Sequence, residues 1–165
     1  MIVIGPMGAG KTTVGRLLAG LLDIPFHDSD ALLEAGTGQT GAQIAAGLGV
    51  TRLHDLELEV FLEAARGGPR SVIAPAASVI ESPEARAVLI LNDTVWLDAS
   101  PPVLAARRRS GGHRRPLDSG ESLDLEARRR DLYGAVSDIR IDTTSLRPVE
   151  VADLIVAILR DKLET

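Results

Sequence analysis

The sequence predicts a three-layer α/β/α fold built on a five-stranded parallel sheet. Short apolar segments without polar alternation alternate with helical patterns along the chain, which is typical of a parallel sheet covered on both faces. A glycine-rich loop separates the first apolar segment from the first helical pattern. The 165 residues, 45% hydrophobic and 25% charged, predict a single domain over residues 1–165.

Five strands and eight helices are predicted in alternating order. The strands are the short apolar segments 1–4, 24–27, 71–74, 94–98 and 139–142. The helices carry apolar residues at helical spacing, over residues 11–22, 31–35, 39–46, 51–66, 82–91, 101–109, 123–136 and 148–162. Serine caps followed by proline mark helix starts at Ser82 and Ser100, and Gly36 is predicted to break the second helix.

The loop Gly5–Thr12 matches the pattern G-x-x-x-x-G-K-[ST] in a strand–loop–helix setting. Glycines let backbone N–H groups point at a phosphate, and the helix N-terminus adds further donors. The residues expected to contact the nucleotide here are Gly8, Ala9, Gly10, Lys11, Thr12 and Thr13. Lys11 would reach the β- and γ-phosphates, and the Thr12 hydroxyl would ligate Mg²⁺. A glycine turn with a chance lysine is the weaker interpretation, because the whole pattern and its context agree.

Two carboxylates follow the second predicted strand, at Asp28 and Asp30. Ligands bind at the carboxyl ends of parallel strands, so these residues are expected to face the same cleft as the glycine loop. Asp28 could hold Mg²⁺ through water or accept the proton of an attacking hydroxyl. The alternative is a helix N-cap, which explains one of the two carboxylates but not both.

A basic segment follows the helix over 101–109. It contains Arg107–Arg109 and then Arg115 in a polar loop over about 110–121. Phosphoryl transfer needs cations near the γ-phosphate and a cover that excludes water, so Arg115 is predicted to act from a lid. Arginines at a helix C-terminus can also be solvated charges, and for Arg107–Arg109 that alternative stays open.

Composition excludes several classes of function. The net charge of −5 and an aromatic content of 2% do not indicate a nucleic-acid surface. No apolar run approaches the roughly 20 residues of a membrane span, and no secretory signal pattern is visible. The chain has no cysteine, which excludes disulfides and thiol chemistry and is typical of a cytoplasmic protein. The sequence shows no exposed apolar seam, so it does not predict an oligomeric state.

Several motifs together resemble the shikimate kinase family. They occur in the family's order, at Gly5–Arg16, Asp28–Asp30, Val95–Pro101, Arg115–Leu117, Leu132–Asp138 and Asp142–Thr143. The resemblance implies a P-loop kinase fold with acceptor-binding helices over about 31–66, a lid, and ATP, Mg²⁺ and a small hydroxylated metabolite as partners. It implies catalytic roles for Lys11, Asp28 and Arg115, metal ligation by Thr12 and Asp28, and an adenine site near Arg109 and Pro148.

The resemblance also assigns five positions to the acceptor, namely Asp30, His54, Glu57, Ala76 and Gly134. Asp30 and Glu57 keep the family's residue. The family has carboxylate-binding arginines where this chain has His54 and Gly134. Its glycine triplet aligns with Pro75–Ala77, where proline removes a backbone donor and the alanines add methyl groups.

These departures weaken the predicted binding of a substrate carboxylate. A charge-assisted hydrogen bond contributes about 1.5–3 kcal/mol, so two missing arginines correspond to roughly 100-fold to 10,000-fold in recognition. A neutral imidazole at His54 cannot replace a guanidinium fork. Arg52 lies about 200° around the helix from His54, so it cannot replace the arginine without a shift of the helix.

Three functions are therefore compared. The first is an ATP-dependent kinase whose acceptor is a small polar metabolite other than shikimate, or shikimate bound unusually. The second is an authentic shikimate kinase that forms shikimate 3-phosphate. The third is a nucleotide-binding regulatory protein without acceptor chemistry, which requires the side chains of Pro75–Ala77 to fill the acceptor cleft. We expect the first.

Overall fold

The computed structural model describes residues 1–110 and 123–163. Five parallel strands form one sheet in the order β2-β3-β1-β4-β5, which confirms the predicted parallel sheet. The strands are β1 (Ile2–Ile4), β2 (Phe26–Asp28), β3 (Val72–Ala74), β4 (Thr94–Asp98) and β5 (Ile139–Asp142). Because β1 lies at the centre of the sheet, the glycine loop that follows it is flanked by the carboxyl ends of β3 and β4.

Helices cover the sheet and connect its strands. They are α1 (Lys11–Leu22), α2 (Ser29–Thr37), α3 (Gly41–Leu48), α4 (Val50–Arg66), α5 (Pro83–Ile90), α6 (Pro101–Ser110), α7 (Leu123–Val136) and α8 (Pro148–Leu163). A 3₁₀ helix over Ala77–Glu81 follows β3. In the described ranges, no helix combines the length and apolar character needed to cross a bilayer.

The structure corrects several local predictions. Strand β2 spans Phe26–Asp28 rather than 24–27, and α3 spans Gly41–Leu48 rather than 39–46. Helix α2 begins at Ser29 rather than Ala31, and it continues through Gly36 to Thr37. It ends at Gly38, whose φ of 69° is left-handed and whose N–H donates to the Glu34 carbonyl. The segment after β3, which was not assigned to any element, is the 3₁₀ helix Ala77–Glu81.

Alternating strand residues fill two apolar clusters, one on each face of the sheet. In β1, Val3 joins the cluster packed by α1 and α8, whereas Ile2 and Ile4 join the cluster packed by α4, α5 and α7. Large side chains such as Leu18 and Phe61 are fully buried, and each contributes about 1.5–3 kcal/mol.

Helices α2, α3 and α4 form a small subassembly beside the sheet. It has its own apolar cluster, made by Leu33, Ile44 and Leu53. A capping box between Thr40 and Gln43 begins α3, which holds this short helix in place. The subassembly lies next to β2 and carries the residues that were assigned to the acceptor on α2 and α4.

Candidate active site

The phosphate loop has a backbone that only glycine can adopt at key points. Gly5 has φ 144°, and a Cβ there would lie 2.2 Å from the Leu97 carbonyl oxygen at the end of β4. Gly8 has φ 89°, and a Cβ there would lie 2.8 Å from the Leu104 carbonyl oxygen of α6. The loop therefore packs closely against both β4 and α6. Its fixed curvature can direct backbone N–H groups at an anion.

Lys11 and Thr12 begin α1 directly after this loop. The Lys11 ammonium donates to the carbonyl oxygens of Gly5 at 2.9 Å and Pro6 at 3.3 Å, so the cation lies over the loop. The Thr12 hydroxyl donates to Asp28 Oδ2 at 2.6 Å. The phosphate loop and the end of β2 are thus brought together, as the sequence predicted.

Asp28 has two roles in the structure. Its Oδ1 accepts hydrogen bonds from the backbone N–H groups of Asp30 at 3.0 Å and Ala31 at 3.4 Å, so the residue is the N-cap of α2. Its Oδ2 faces Thr12. Asp28 is therefore both a helix N-cap, through Oδ1, and a residue that faces the phosphate loop, through Oδ2. Asp30 is exposed in the first turn of the same helix.

The oxygen pair at Thr12 and Asp28 suits a hard divalent cation. A hydroxyl oxygen and a carboxylate oxygen lie 2.6 Å apart here, and oxygen atoms are the ligands that Mg²⁺ prefers. No group of three or more His, Asp or Glu side chains suited to a metal occurs within residues 1–110 and 123–163. A cation held by two protein oxygens, phosphates and water is consistent with this sparse donor set.

A cavity of about 310 Å³ extends from the phosphate loop. Its lining is made by Gly8, Ala9, Gly10, Thr13, Val14, Arg107, Thr143, Leu146, Pro148 and Val151. Pro148 and Thr13 were expected near the nucleotide, and the structure places both on this cavity. Arg109 was also expected there, but it is exposed on α6 and is not part of the lining.

Arg107 takes the position on the cavity that was expected for Arg109. Its guanidinium donates to the Thr143 hydroxyl at 2.9 Å and to the Thr143 carbonyl at 2.8 Å. Thr143 is itself buried and donates to the Asp98 carbonyl, so the guanidinium is held against a rigid strand end. Helical spacing could have found this residue, because Arg107 lies three positions after the buried Leu104 on the same helix face.

Helices α4 and α7 meet the 3₁₀ helix on the side where the sequence predicts the acceptor, and this side is called the acceptor side below. His54 and Glu57 are half-buried on α4, three residues apart. The Ser78 hydroxyl donates to Glu57 Oε2, and the Tyr133 hydroxyl donates to the Ala77 carbonyl at 3.2 Å. The structure thus brings Glu57 next to the segment after β3, and this segment next to α7. Ser78 was not singled out from the sequence.

The substituted positions on this side adopt ordinary geometry. Ala76 has φ −59° and ψ 150°, a conformation open to any residue, and it packs against the apolar cluster under α4 and α7. Pro75 is buried. Gly134 is exposed on α7, where a Cβ would lie 3.8 Å from Trp96 Cζ3, an ordinary van der Waals contact. The backbone therefore does not require glycine at position 134.

An ionic cluster at the end of β4 was also missed. The buried Asp98 accepts hydrogen bonds from Arg130 of α7 at 2.7 Å and Arg140 of β5 at 2.9 Å. The Arg140 guanidinium carbon lies 4.4 Å from the Trp96 ring centroid. On the neighbouring strand end, hydrogen bonds from the side chain and backbone of Thr144 lower the pKa of Asp142.

Arg115, the predicted lid cation, lies outside the described residues.

Comparison with known proteins identifies relatives along almost the whole chain. A family model described as shikimate kinase matches residues 7–160. A shikimate kinase from Symbiobacterium thermophilum is 39% identical over 157 residues, covering 90% of each chain. The structure of shikimate kinase from Acinetobacter baumannii in complex with shikimate matches with a TM-score of 0.83 and 31% identity, over 98% of this chain and 92% of that one. The Aquifex aeolicus shikimate kinase structure matches with a TM-score of 0.79 and 29% identity, over 98% and 96%.

Proposed function

Because the chain belongs to the shikimate kinase family of ATP-dependent kinases, we propose that it transfers the γ-phosphoryl group of ATP to a hydroxyl group of shikimate, forming shikimate 3-phosphate. A curated shikimate kinase at 39% identity and a 31% identical structure in complex with shikimate support this acceptor. These relatives support shikimate as the acceptor better than they support the different acceptor that we expected from the sequence. The cytoplasm, where ATP is abundant, is the proposed site of action.

The hydrogen bond between Thr12 and Asp28, at 2.6 Å, is the observation that carries the proposal. It brings a phosphate-loop hydroxyl and a strand-end carboxylate to one point, where a nucleotide and an acceptor hydroxyl can meet. Mg²⁺ held by the Thr12 hydroxyl, with Asp28 reaching it through water, would neutralise charge on the β- and γ-phosphates. Lys11, which lies over the loop, would hold the same phosphates through its ammonium.

Asp28 is proposed to orient the acceptor hydroxyl and accept its proton as the phosphoryl group is transferred. Its carboxylate is fixed at Oδ1 by the first turn of α2, so Oδ2 has a defined direction toward Thr12. Backbone N–H groups of Gly8, Ala9 and Gly10 would hold the phosphates, with Thr13, Arg107 and Pro148 along the nucleotide cavity. The resemblance supports Arg115 as the cation that covers the γ-phosphate.

Asp30, His54, Glu57, Ala76 and Gly134 are proposed to line the acceptor. Asp30 and Glu57 can accept hydrogen bonds from ring hydroxyls, which are donors. His54 and Gly134 supply no guanidinium for the carboxylate. We therefore expect shikimate to bind with a Michaelis constant raised by at least about 100-fold over that of an enzyme with both arginines.

His54 and Gly134 also favour a second candidate function. A cyclic polyol without a carboxylate would lose nothing from the missing arginines, whereas it could still use Asp30 and Glu57. Such an acceptor would be phosphorylated on a hydroxyl by the same residues around Asp28.

Coupled ADP release tests the proposal. Purified protein is given ATP and Mg²⁺ with shikimate, and in parallel with cyclic polyols that lack its carboxylate. We expect saturable, shikimate-dependent ADP release and a phosphorylated product by mass spectrometry. Faster turnover of a polyol than of shikimate would select the second candidate. ADP release that no acceptor accelerates would contradict both.

A further inference from the structure

We propose that Gly15 and Phe26 are positioning residues that set the spacing between α1 and β2, and through it the geometry at Asp28. Gly15 is buried in the first half of α1, and the Phe26 ring packs against the bare backbone there. A Cβ at position 15 would lie 2.6 Å from Phe26 Cε2, whereas ordinary van der Waals contact begins at 3.4 Å. The inference rests on the proposed function, because that function gives Thr12 and Asp28 their roles in phosphoryl transfer.

Two contacts join the same faces of α1 and β2. Thr12 and Gly15 are three residues apart on α1 and therefore share one face of the helix. Phe26 and Asp28 are two residues apart on β2 and therefore share one face of the strand. One contact is the ring against Gly15, and the other is the 2.6 Å hydrogen bond from Thr12 to Asp28. The spacing at the first contact therefore affects the distance at the second.

The strand and the Phe26 ring both have defined positions. The backbone of β2 pairs in parallel with β3, where Phe26 lies beside Val72 and Asp28 lies beside Ala74. The Arg16 guanidinium carbon lies 5.8 Å from the centroid of the Phe26 ring, within the range of a cation–π contact. The ring also packs against the apolar cluster beneath α1 and α8. Phe26 is therefore a spacer of defined position between β2 and α1.

The spacing matters because the hydrogen bond from Thr12 to Asp28 is short. A shift of about 1 Å between α1 and β2 would lengthen the 2.6 Å oxygen–oxygen distance to the limit of a hydrogen bond. Misplacement of this size can cost about 100-fold in rate. An alanine at position 15 requires such a shift, because its methyl group would overlap the Phe26 ring. Gly15 and Phe26 thereby affect catalysis without contacting a substrate.

The test is a double-mutant cycle on the full chain, with Gly15→Ala, Phe26→Leu and the combined variant. Gly20→Ala is the matched control, because it lies on the same helix and a Cβ there would meet nothing within 4 Å. Crystal structures of each variant give the distance between Thr12 Oγ1 and Asp28 Oδ2. Electron paramagnetic resonance gives the dissociation constant of Mn²⁺ in the presence of ADP. Steady-state ADP release gives kcat and the shikimate Michaelis constant.

We expect Gly15→Ala to lengthen the oxygen–oxygen distance beyond about 3.5 Å and to weaken Mn²⁺ binding about tenfold. It should lower kcat about tenfold while the shikimate Michaelis constant changes less than about twofold. Phe26→Leu removes the spacer and should lower kcat and Mn²⁺ affinity about threefold each. The combined variant should recover most of both losses, because the alanine methyl group then occupies the place of the ring edge. Gly20→Ala should match the wild type in every measurement.

Recovery in the combined variant distinguishes positioning from a general loss of stability. Losses that multiply would overturn the inference, as would an unchanged oxygen–oxygen distance and Mn²⁺ affinity in Gly15→Ala. If Gly15→Ala does not fold, Phe26→Leu is decisive, and wild-type values of kcat and Mn²⁺ affinity in that variant would overturn the inference. A wild-type chain without acceptor turnover would contradict the proposed function alone, because the distance and the Mn²⁺ constant would still report on the spacing.

Discussion

The nucleotide side and the acceptor side of this kinase are built in different ways. On the nucleotide side, one continuous segment, Gly5–Thr12, forms the phosphate loop, and steric contact with β4 and α6 enforces glycine in it. On the acceptor side, the proposed contacts come from α2, α4, the segment after β3, and α7. A backbone cradle depends on chain geometry, whereas a pocket of side chains depends on the residue chosen at each separate position.

This difference makes the two sides change independently. His54 and Gly134 lie in the regular helices α4 and α7, so a change from arginine to either residue removes a cation without requiring the backbone to move. Replacing Gly5 or Gly8 would force the loop to move, because each is closely packed against a carbonyl oxygen. The acceptor side can therefore lose charge while the nucleotide side keeps its geometry.

Lys11→Met should have the largest effect. Lys11 is proposed to hold the transferring phosphoryl group, and removal of such a preorganised cation is expected to lower kcat by about 100-fold to 1,000-fold. Thermal unfolding should stay close to wild type, since Lys11 is only half-buried at the start of α1. ADP-release kinetics at saturating ATP measure the change, and a kcat within a few-fold of wild type would show that the loop is not catalytic.

Gly5→Ala and Gly134→Ala compare a glycine from each side. Alanine at position 5 would place Cβ 2.2 Å from the Leu97 carbonyl oxygen at φ 144°. We expect destabilisation by about 3 kcal/mol or more. Alanine at position 134 has room and removes the helical cost of glycine, so stability should rise by up to about 1 kcal/mol. Urea unfolding of both variants gives the two values, and equal losses would refute the contrast.

Arg107→Ala and Arg109→Ala compare the roles of two nearby arginines on α6. Arg107 lines the cavity beside the phosphate loop, which is the proposed nucleotide site, whereas Arg109 is exposed. Only the first variant should therefore raise the ATP Michaelis constant, by about tenfold. The constant for shikimate should stay unchanged in both. Titration of ADP against each variant is an independent measurement, and weaker ADP binding in Arg109→Ala alone would reverse the assignment.

The sequence predicted where the phosphate loop lies in the fold because the signals for this loop are local. The phosphate-loop pattern, the apolar spacing of residues 11–22 and the carboxylate at Asp28 all lie within short windows. The bounds of α1 agree with the prediction. The start of α2 was missed because Asp28 was read as a strand end that faces the cleft, although its other oxygen also caps the helix.

The acceptor side was less predictable because its contacts join distant segments. The bond between Ser78 and Glu57 needs the 3₁₀ helix after β3, and no periodic pattern marks five residues of such a helix. The pairing of Asp98 with Arg130 and Arg140 depends on how α7 crosses β4. In a run such as Arg107–Arg109, composition gives the charge, but only the packing of α6 decides which guanidinium enters the cavity.

The central proposal is that the nucleotide side is intact and that the acceptor side has His54 and Gly134 where the resemblance expects two carboxylate-binding arginines. The most direct measurement restores both, with His54→Arg and Gly134→Arg in one chain, and compares the Michaelis constants for shikimate and ATP with those of the wild type. The account predicts a shikimate constant at least about 100-fold lower and an ATP constant unchanged within about twofold. An unchanged shikimate constant in a folded variant that still turns over would contradict it.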